Sequence, residues 1–218
     1  MKSKITLAFF LVLSMRLAAA TWYVATTGND ANPGTLNAPL LTLDEAILQA
    51  NPGDIIELRG GTYLSNEVRV TKSNLTIRSY PGEWAILEAV TNVENTASCI
   101  WYNEPDVNGG TLENLEIIGG YYYGVSFETN WDWGGAPQDR HGASNIILRN
   151  LKIHDTGRDC IKIKPGCDGI QILGCELYNS GVGIGNQIDP NAEGIDNVNG
   201  DGTVVRNTHI HHTSTSGL

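Results

Sequence analysis

Residues 144–218 repeat themselves, and that repetition limits the folds open to the chain more than any other feature. NIILRNLKIHDTGRDCIKIK is followed by GIQILGCELYNSGVGIGN and then by GTVVRNTHIHHTSTSGL. Setting Asn150 against Gly174 and Asn207 aligns Leu151, Cys175 and Thr208, then Ile153, Leu177 and Ile210. An earlier copy, NLEIIGGYYYGVSF, brings Asn114, Leu115 and Ile117 into register, and NLTIRSYPG at Asn74 reads as one more. The five copies stand 24 to 40 residues apart. Each is a pair of short strands with apolar residues at every second position, separated by Gly, Asn, Asp or Ser.

Repeats of this length belong to solenoids, in which every unit buries its apolar row against its neighbours. No copy carries a 3.6-period run long enough for a helix, which excludes the helical repeat families. The expected fold is all-β, a right-handed parallel β-helix, with Leu115, Ile117, Leu151, Ile153, Cys175, Leu177 and Ile210 facing inward.

Residues 1–20 read as a cleaved export signal outside the fold. Lys2 and Lys4 form a basic start, an apolar run follows, and Ala18-Ala19-Ala20 is a small-residue cleavage site, so cleavage is expected after Ala20. The run is too short to span a bilayer, and Arg16 interrupts its end. The chain has 14 Lys+Arg and 24 Asp+Glu. Losing Lys2, Lys4 and Arg16 leaves 11 against 24, a mature charge near −13. Such acidity argues against nucleic acid and anionic membrane surfaces as partners. In the oxidising compartment that export implies, Cys160 and Cys167 are close enough in sequence to pair across a turn, whereas Cys175 shares the inward position of Leu151. Fewer than two bridges are certain.

The opening segment has its own logic. Trp22 starts a first strand. Thr42-Leu43-Asp44-Glu45 is a capping box that opens a short amphipathic helix, and Asn51-Pro52-Gly53 stops it before the next strand. A solenoid needs a lid over its first coil, and this helix is the candidate. The series YVATTGNDANPGT, PLLTLDEAI and PGDIIELRGGTY resembles the beginning of secreted right-handed β-helix proteins, the pectate lyase-like superfamily of polysaccharide lyases and epimerases. The resemblance covers residues 21–218, expected to form one β-helix domain. It implies a monomer working on polysaccharide, but the motifs serve scaffold rather than chemistry and name no sugar.

Because the inward rows are apolar, function must sit on outward residues and loops. In CIKIK, Ile161 and Ile163 point inward, which puts Cys160, Lys162 and Lys164 outward. Matching GVSF one coil back and GIDNV one coil forward sets Ser126, Lys162 and Asp196 in one outward stripe. The bland reading of Lys162 and Asp196 is a surface ion pair worth about 0–1 kcal/mol. Two long insertions adjoin the stripe. One, ETNWDWGGAPQDRHGAS, carries Trp131, Trp133 and His141, which would suit a sugar-stacking wall. The other, GNQIDPNAEGID, leads into Asp196. Glu193, Asp196, Asn197 and Asp201 concentrate oxygen ligands of the kind Ca²⁺ takes, although Asn and Asp also occupy turns for their own backbone reasons. His209 and His211 face outward around Ile210 without an evident third ligand.

The resemblance to lyases then suggests roles. Lys162 would be the base, Arg158 or Lys164 would clamp the substrate carboxylate, and Ca²⁺ on Glu193 and Asp196 would offset developing charge. The leading expectation is a secreted or periplasmic lyase on acidic polysaccharide. A non-catalytic polysaccharide-binding module and a β-helix glycoside hydrolase, drawing on Glu128, Asp132 and Asp196, are the alternatives. Ser216-Gly217-Leu218 matches the start of a strand one coil earlier, so the chain is expected to be part of a longer protein.

Overall fold

The computed structural model describes residues 18–92, 97–129, 140–182 and 191–218. Its strands form three parallel sheets. The first holds β1 (Thr21–Val24), β2 (Ile55–Leu58), β5 (Thr76–Ser79), β8 (Thr111–Glu113), β11 (Ile147–Arg149), β14 (Gln171–Leu173) and β17 (Val204–Arg206). The second holds β3 (Gly61–Leu64), β6 (Ala85–Ala89), β9 (Leu115–Gly119), β12 (Lys152–Thr156), β15 (Glu176–Ser180) and β18 (His209–His211). The third holds β4 (Val68–Arg69), β7 (Ser98–Tyr102), β10 (Tyr123–Phe127), β13 (Ile161–Ile163) and β16 (Ile195–Asn197). From β2 onward the chain visits the sheets in fixed rotation, so each coil lays one strand on each face and the next coil pairs with it in parallel.

Alternation inside each strand builds the core. Ile56, Ile77, Leu112, Leu148 and Ile172 stack in register in the first sheet. Leu87, Ile117, Ile153 and Leu177 stack in the second, with Ile210 continuing the row. Val68, Ile100, Val125, Ile161 and Ile195 stack in the third. All are buried except Ile210, which is partly covered, and the three rows meet in one apolar cluster.

Two corners per coil share one sequence signature, and this corrects the placement of one repeat. Between the first and second sheets, Asn114, Asn150 and Asn207 adopt positive φ, with Gly174 in the same position. The Asn150 amide donates to Asn114 Oδ1 at 2.7 Å. Asn74 lies one corner earlier, before the first sheet, where Asn145 also has positive φ. It faces Gly109, whose φ is +72° and whose missing Cβ would meet Asn74 Oδ1 at 2.3 Å. Both corners need a residue that tolerates the left-handed conformation before an apolar strand, so both are written Asn-Leu or Asn-Ile.

The helix α1 (Leu43–Gln49) packs on β1, β2 and β4, burying Leu43, Ala46 and Ile47 in the common core. Thr42 Oγ1 accepts the Glu45 N–H at 3.2 Å, as a capping box requires. The return bond is made differently: the Thr42 N–H goes to Asp30 Oδ1 at 2.9 Å. Ala20 is already engaged, donating to Asp54 Oδ1 and accepting the Ile55 N–H. Among the described residues no helix is long and apolar enough to cross a membrane.

All four cysteines are buried free thiols, so the pairing considered for Cys160 and Cys167 is not made. The expectation that Cys160 faces outward fails as well. It precedes β13 at a corner, where strand alternation does not apply, and it is fully buried with Sγ 3.5 Å from the Ile153 carbonyl. Burial pushes its thiol up to about 12, as it does for Cys167 and Cys99, which leaves these groups inert as nucleophiles.

Candidate functional site

The outward row of the third sheet runs Arg69, Trp101, Ser126, Lys162, Asp196. The stripe Ser126–Lys162–Asp196 is therefore in register, and it extends two coils further back. Successive residues in such a row lie about 4.8 Å apart. The Arg69 guanidinium sits 5.0 Å from the centre of the half-buried Trp101 ring. Ser126 is covered, between Trp101 and Lys162.

Beside this row runs a column of Tyr123, Asp159 and Glu193, each two residues before the in-register Val125, Ile161 and Ile195; Tyr123 opens β10, and the other two lie at the corners before β13 and β16. Asp159 is fully buried, and its Oδ1 accepts the Glu193 N–H at 3.0 Å. Asp159, Glu193 and Asp196 each offer an oxygen within 4.8 Å of the others. Asp159 Oδ2 and Glu193 Oε2 are buried without a hydrogen-bond partner among the described residues. Lys162 enters this cluster from the row. Its ammonium pairs with Asp196 Oδ2 and stands 3.8 Å from Asp159 Oδ2 and 5.8 Å from the Tyr123 ring centre. Burial pushes the Asp159 carboxyl up to about 7. The Glu193 and Asp196 carboxylates add to that rise, while the Glu193 N–H and the Lys162 ammonium oppose it. Burial likewise takes the Tyr123 phenol up to about 12, with Arg158 acting in the other direction.

A cleft of about 320 Å³ opens along this face, lined by Tyr123, Glu128, Thr129, Lys162, Lys164, Pro165 and Val198. Lys164 spans to Glu128 at 2.8 Å. Arg158 stands at the corner before β13, its Nε donating to the Asn191 carbonyl at 3.0 Å. The remaining residues named from sequence are placed elsewhere. Asn197 spends its amide on the following turn, bonding the Gly200 N–H and carbonyl and Thr203 Oγ1. Asp201 is exposed in the turn before β17, outside the carboxylate cluster. The His141 ring turns to Asp106 at 3.1 Å, while its carbonyl accepts from Thr129 Oγ1 at the cleft's edge. Trp131, Trp133 and Asp132 fall outside the described residues.

Three members of the site, Tyr123, Asp159 and Trp101, are not legible from spacing. Asp159 lies at a corner, off the alternating row. Trp101 belongs to SCIWY, which aligns with YGVSF only once Ile100 is set against Val125.

The site can hold positive charge among three carboxylates, with a cationic amine and an aromatic ring facing a cleft. Pectate lyase PEL9 of Emericella nidulans is 38% identical over 207 residues, covering 78% of this chain and 50% of the relative. The crystal structure of pectate lyase Pel9A superposes with a TM-score of 0.70 at 18% identity, over 93% of this chain and 51% of that one. A rhamnogalacturonan lyase superposes with a TM-score of 0.60 at 17% identity, over 87% of this chain and 51% of that one. The chain thus spans about half the length of these relatives. Residues 22–218 match the model of the Pel9A-like, right-handed β-helix region, and the chain belongs to that family.

Proposed function

We propose that this chain forms part of an exported lyase that cleaves an acidic polysaccharide, with the third sheet's outer face as its sugar track. The observation that carries the reading is the placement of Lys162: the only amine of its row, facing a cleft and held by carboxylates from two coils. Eliminative cleavage of a uronate removes the proton α to the carboxylate, breaks the bond to the glycosidic oxygen on the neighbouring carbon and leaves a double bond. Lys162, as the neutral amine left once its ammonium has given up a proton to solvent, is the group to take that proton, and water protonates the leaving oxygen. Asp196 positions the amine, and Arg158 and Lys164 stand where cations are needed to draw a polyanion onto an acidic protein. Trp101 and Tyr123 offer rings to sugar faces.

The donors also fit Ca²⁺, since two buried carboxylate oxygens lack partners within a three-carboxylate cluster. Bound there, the ion would supply counter-charge for the substrate carboxylate and compete with Lys162 for Asp196. The family relationship and the pectate lyase relative support a lyase over a hydrolase.

The test is the appearance of unsaturated product, followed by ultraviolet absorbance, from polygalacturonate and alginate with the full-length enzyme. Lys162→Ala should abolish it while leaving the circular dichroism unchanged. Full turnover in that variant refutes the assignment. Polymer binding without product in the wild type favours a binding module. Export predicts a secreted chain cleaved after Ala20, whose mass places its first residue at Thr21.

A further inference from the structure

The outer face of the second sheet carries a different chemistry. In register along it run His154, Tyr178 and His211, with Tyr178 stacked on His154 at 4.4 Å and on His211 at 5.0 Å, nearly parallel in both cases. The next position in each coil is a left-handed residue: Asp155, Asn179 and then His212, with φ between 51° and 53°. Around His154 both ring nitrogens are committed to carboxylates, Nδ1 to Asp155 at 2.7 Å and Nε2 to Glu116 at 3.2 Å. Two coils later the same place is rebuilt with imidazoles. His211 Nδ1 meets His212 Nδ1 at 2.6 Å, and its Nε2 faces Glu176 Oε1 at 3.4 Å. His209, the cross-strand neighbour of Glu176, brings a third ring 4.4 Å from that of His211.

We infer that Glu176, His209 and His211 form a binding site for a divalent d-block cation, Zn²⁺ being the type. One ligand atom from each lies within 4.8 Å of the others. Bonds of about 2.0–2.1 Å from imidazole nitrogen and carboxylate oxygen are then reached by small rotations of the half-buried Glu176 and His211 and the exposed His209. Residues i and i+2 of a strand share a face, so β18 delivers both imidazoles by backbone geometry alone. In the tautomer whose Nδ1–H goes to His212, His211 presents the Nε2 lone pair toward the Glu176 carboxylate. Two acceptors then face each other with a cation's place between them, and the bond to His212 is the orienting contact that metal-bound histidines commonly make. Tyr178 fixes the plane of the His211 ring from the other side. Imidazole with carboxylate suits zinc, copper or nickel, whereas the oxygen-only cluster on the third sheet suits Ca²⁺. Three protein ligands leave a coordination position for water or an exogenous group.

This site lies on another sheet from Lys162 and stands whether or not the chain is a lyase. The test is calorimetric titration of the purified full chain with ZnCl₂ in buffer containing excess Ca²⁺. One Zn²⁺ per chain is expected. His209→Ala and His211→Ala should each weaken it about tenfold or more, since even lost outer-shell partners of metal ligands cost about that much. Asp196→Asn should leave it unchanged. Because His209 is exposed, His209→Gln serves as a second variant without risk to folding, and Co²⁺ in place of Zn²⁺ should give visible d–d bands that the variants lose. Absence of binding overturns the inference. So does equal affinity in a His209→Ala/His211→Ala double variant, or loss of binding in Asp196→Asn.

Discussion

Asp159 makes the coil that carries Lys162 less stable as the pH rises, because burial holds its proton in the folded state. The unfolded chain releases the Asp159 proton near 3.8, whereas burial holds it in the folded state up to about 7. Between these values the folded protein binds more protons than the unfolded one, so stability falls as pH rises through that window and levels off above it. At about 1.36 kcal/mol per pH unit the whole change is on the order of 4 kcal/mol. Against a total stability of about 5–15 kcal/mol that is a large fraction. Asp159→Asn keeps an oxygen to accept the Glu193 N–H and removes the titration. Urea unfolding in the presence of chelator, where only protons compete for the cluster, should give wild type and variant similar midpoints near pH 4. The variant should pull ahead across the window and keep its lead at pH 8. A difference that does not vary with pH, or a variant less stable than wild type at pH 8, refutes the reasoning.

Ile153 lies in the middle of the second sheet's inward row and is fully buried, so Ile153→Ala should cost about 2–5 kcal/mol by chemical denaturation, and Ile153→Asp should prevent folding. Asp54 titrates the other way. Burial alone would raise it, but the N–H groups of Asn51, Trp22 and Ala20 outweigh that and hold it below the ordinary carboxylate value. Its contribution is therefore present above about pH 4 and lost as pH falls through the lower folded value, and Asp54→Asn should flatten the acid limb of a stability curve recorded from about pH 5 down to 2.

The fold was legible because a β-helix has a period of two within each strand and a longer period from coil to coil. Leu115, Ile117, Leu151, Ile153 and Leu177 could be assigned inward from letters alone, and each is buried. The same logic put Ser126, Lys162 and Asp196 in one row, since an error of one residue would have turned the stripe inward. Asn74 was misplaced for an equally physical reason: two corners of each coil need a residue that tolerates positive φ, and an Asn-Leu pair does not say which corner it marks.

What alternation cannot reach is the corner. A row on a parallel sheet supplies one side chain per strand, spaced about 4.8 Å apart, and on an open face those groups stay solvated. To hold an amine or a cation, a site needs further groups converging from another direction, with some of them out of water. Asp159 and Glu193 do this here, stacked at one corner in successive coils and bringing buried carboxylate oxygens beside the exposed row. Their inward reach depends on the path of the turn, which no period encodes, and Cys160, expected outward by alternation, turns inward at that same corner. The site is therefore the meeting of a legible row with an illegible corner. The coil that carries Lys162 supplies both, in the four residues from Asp159 to Lys162.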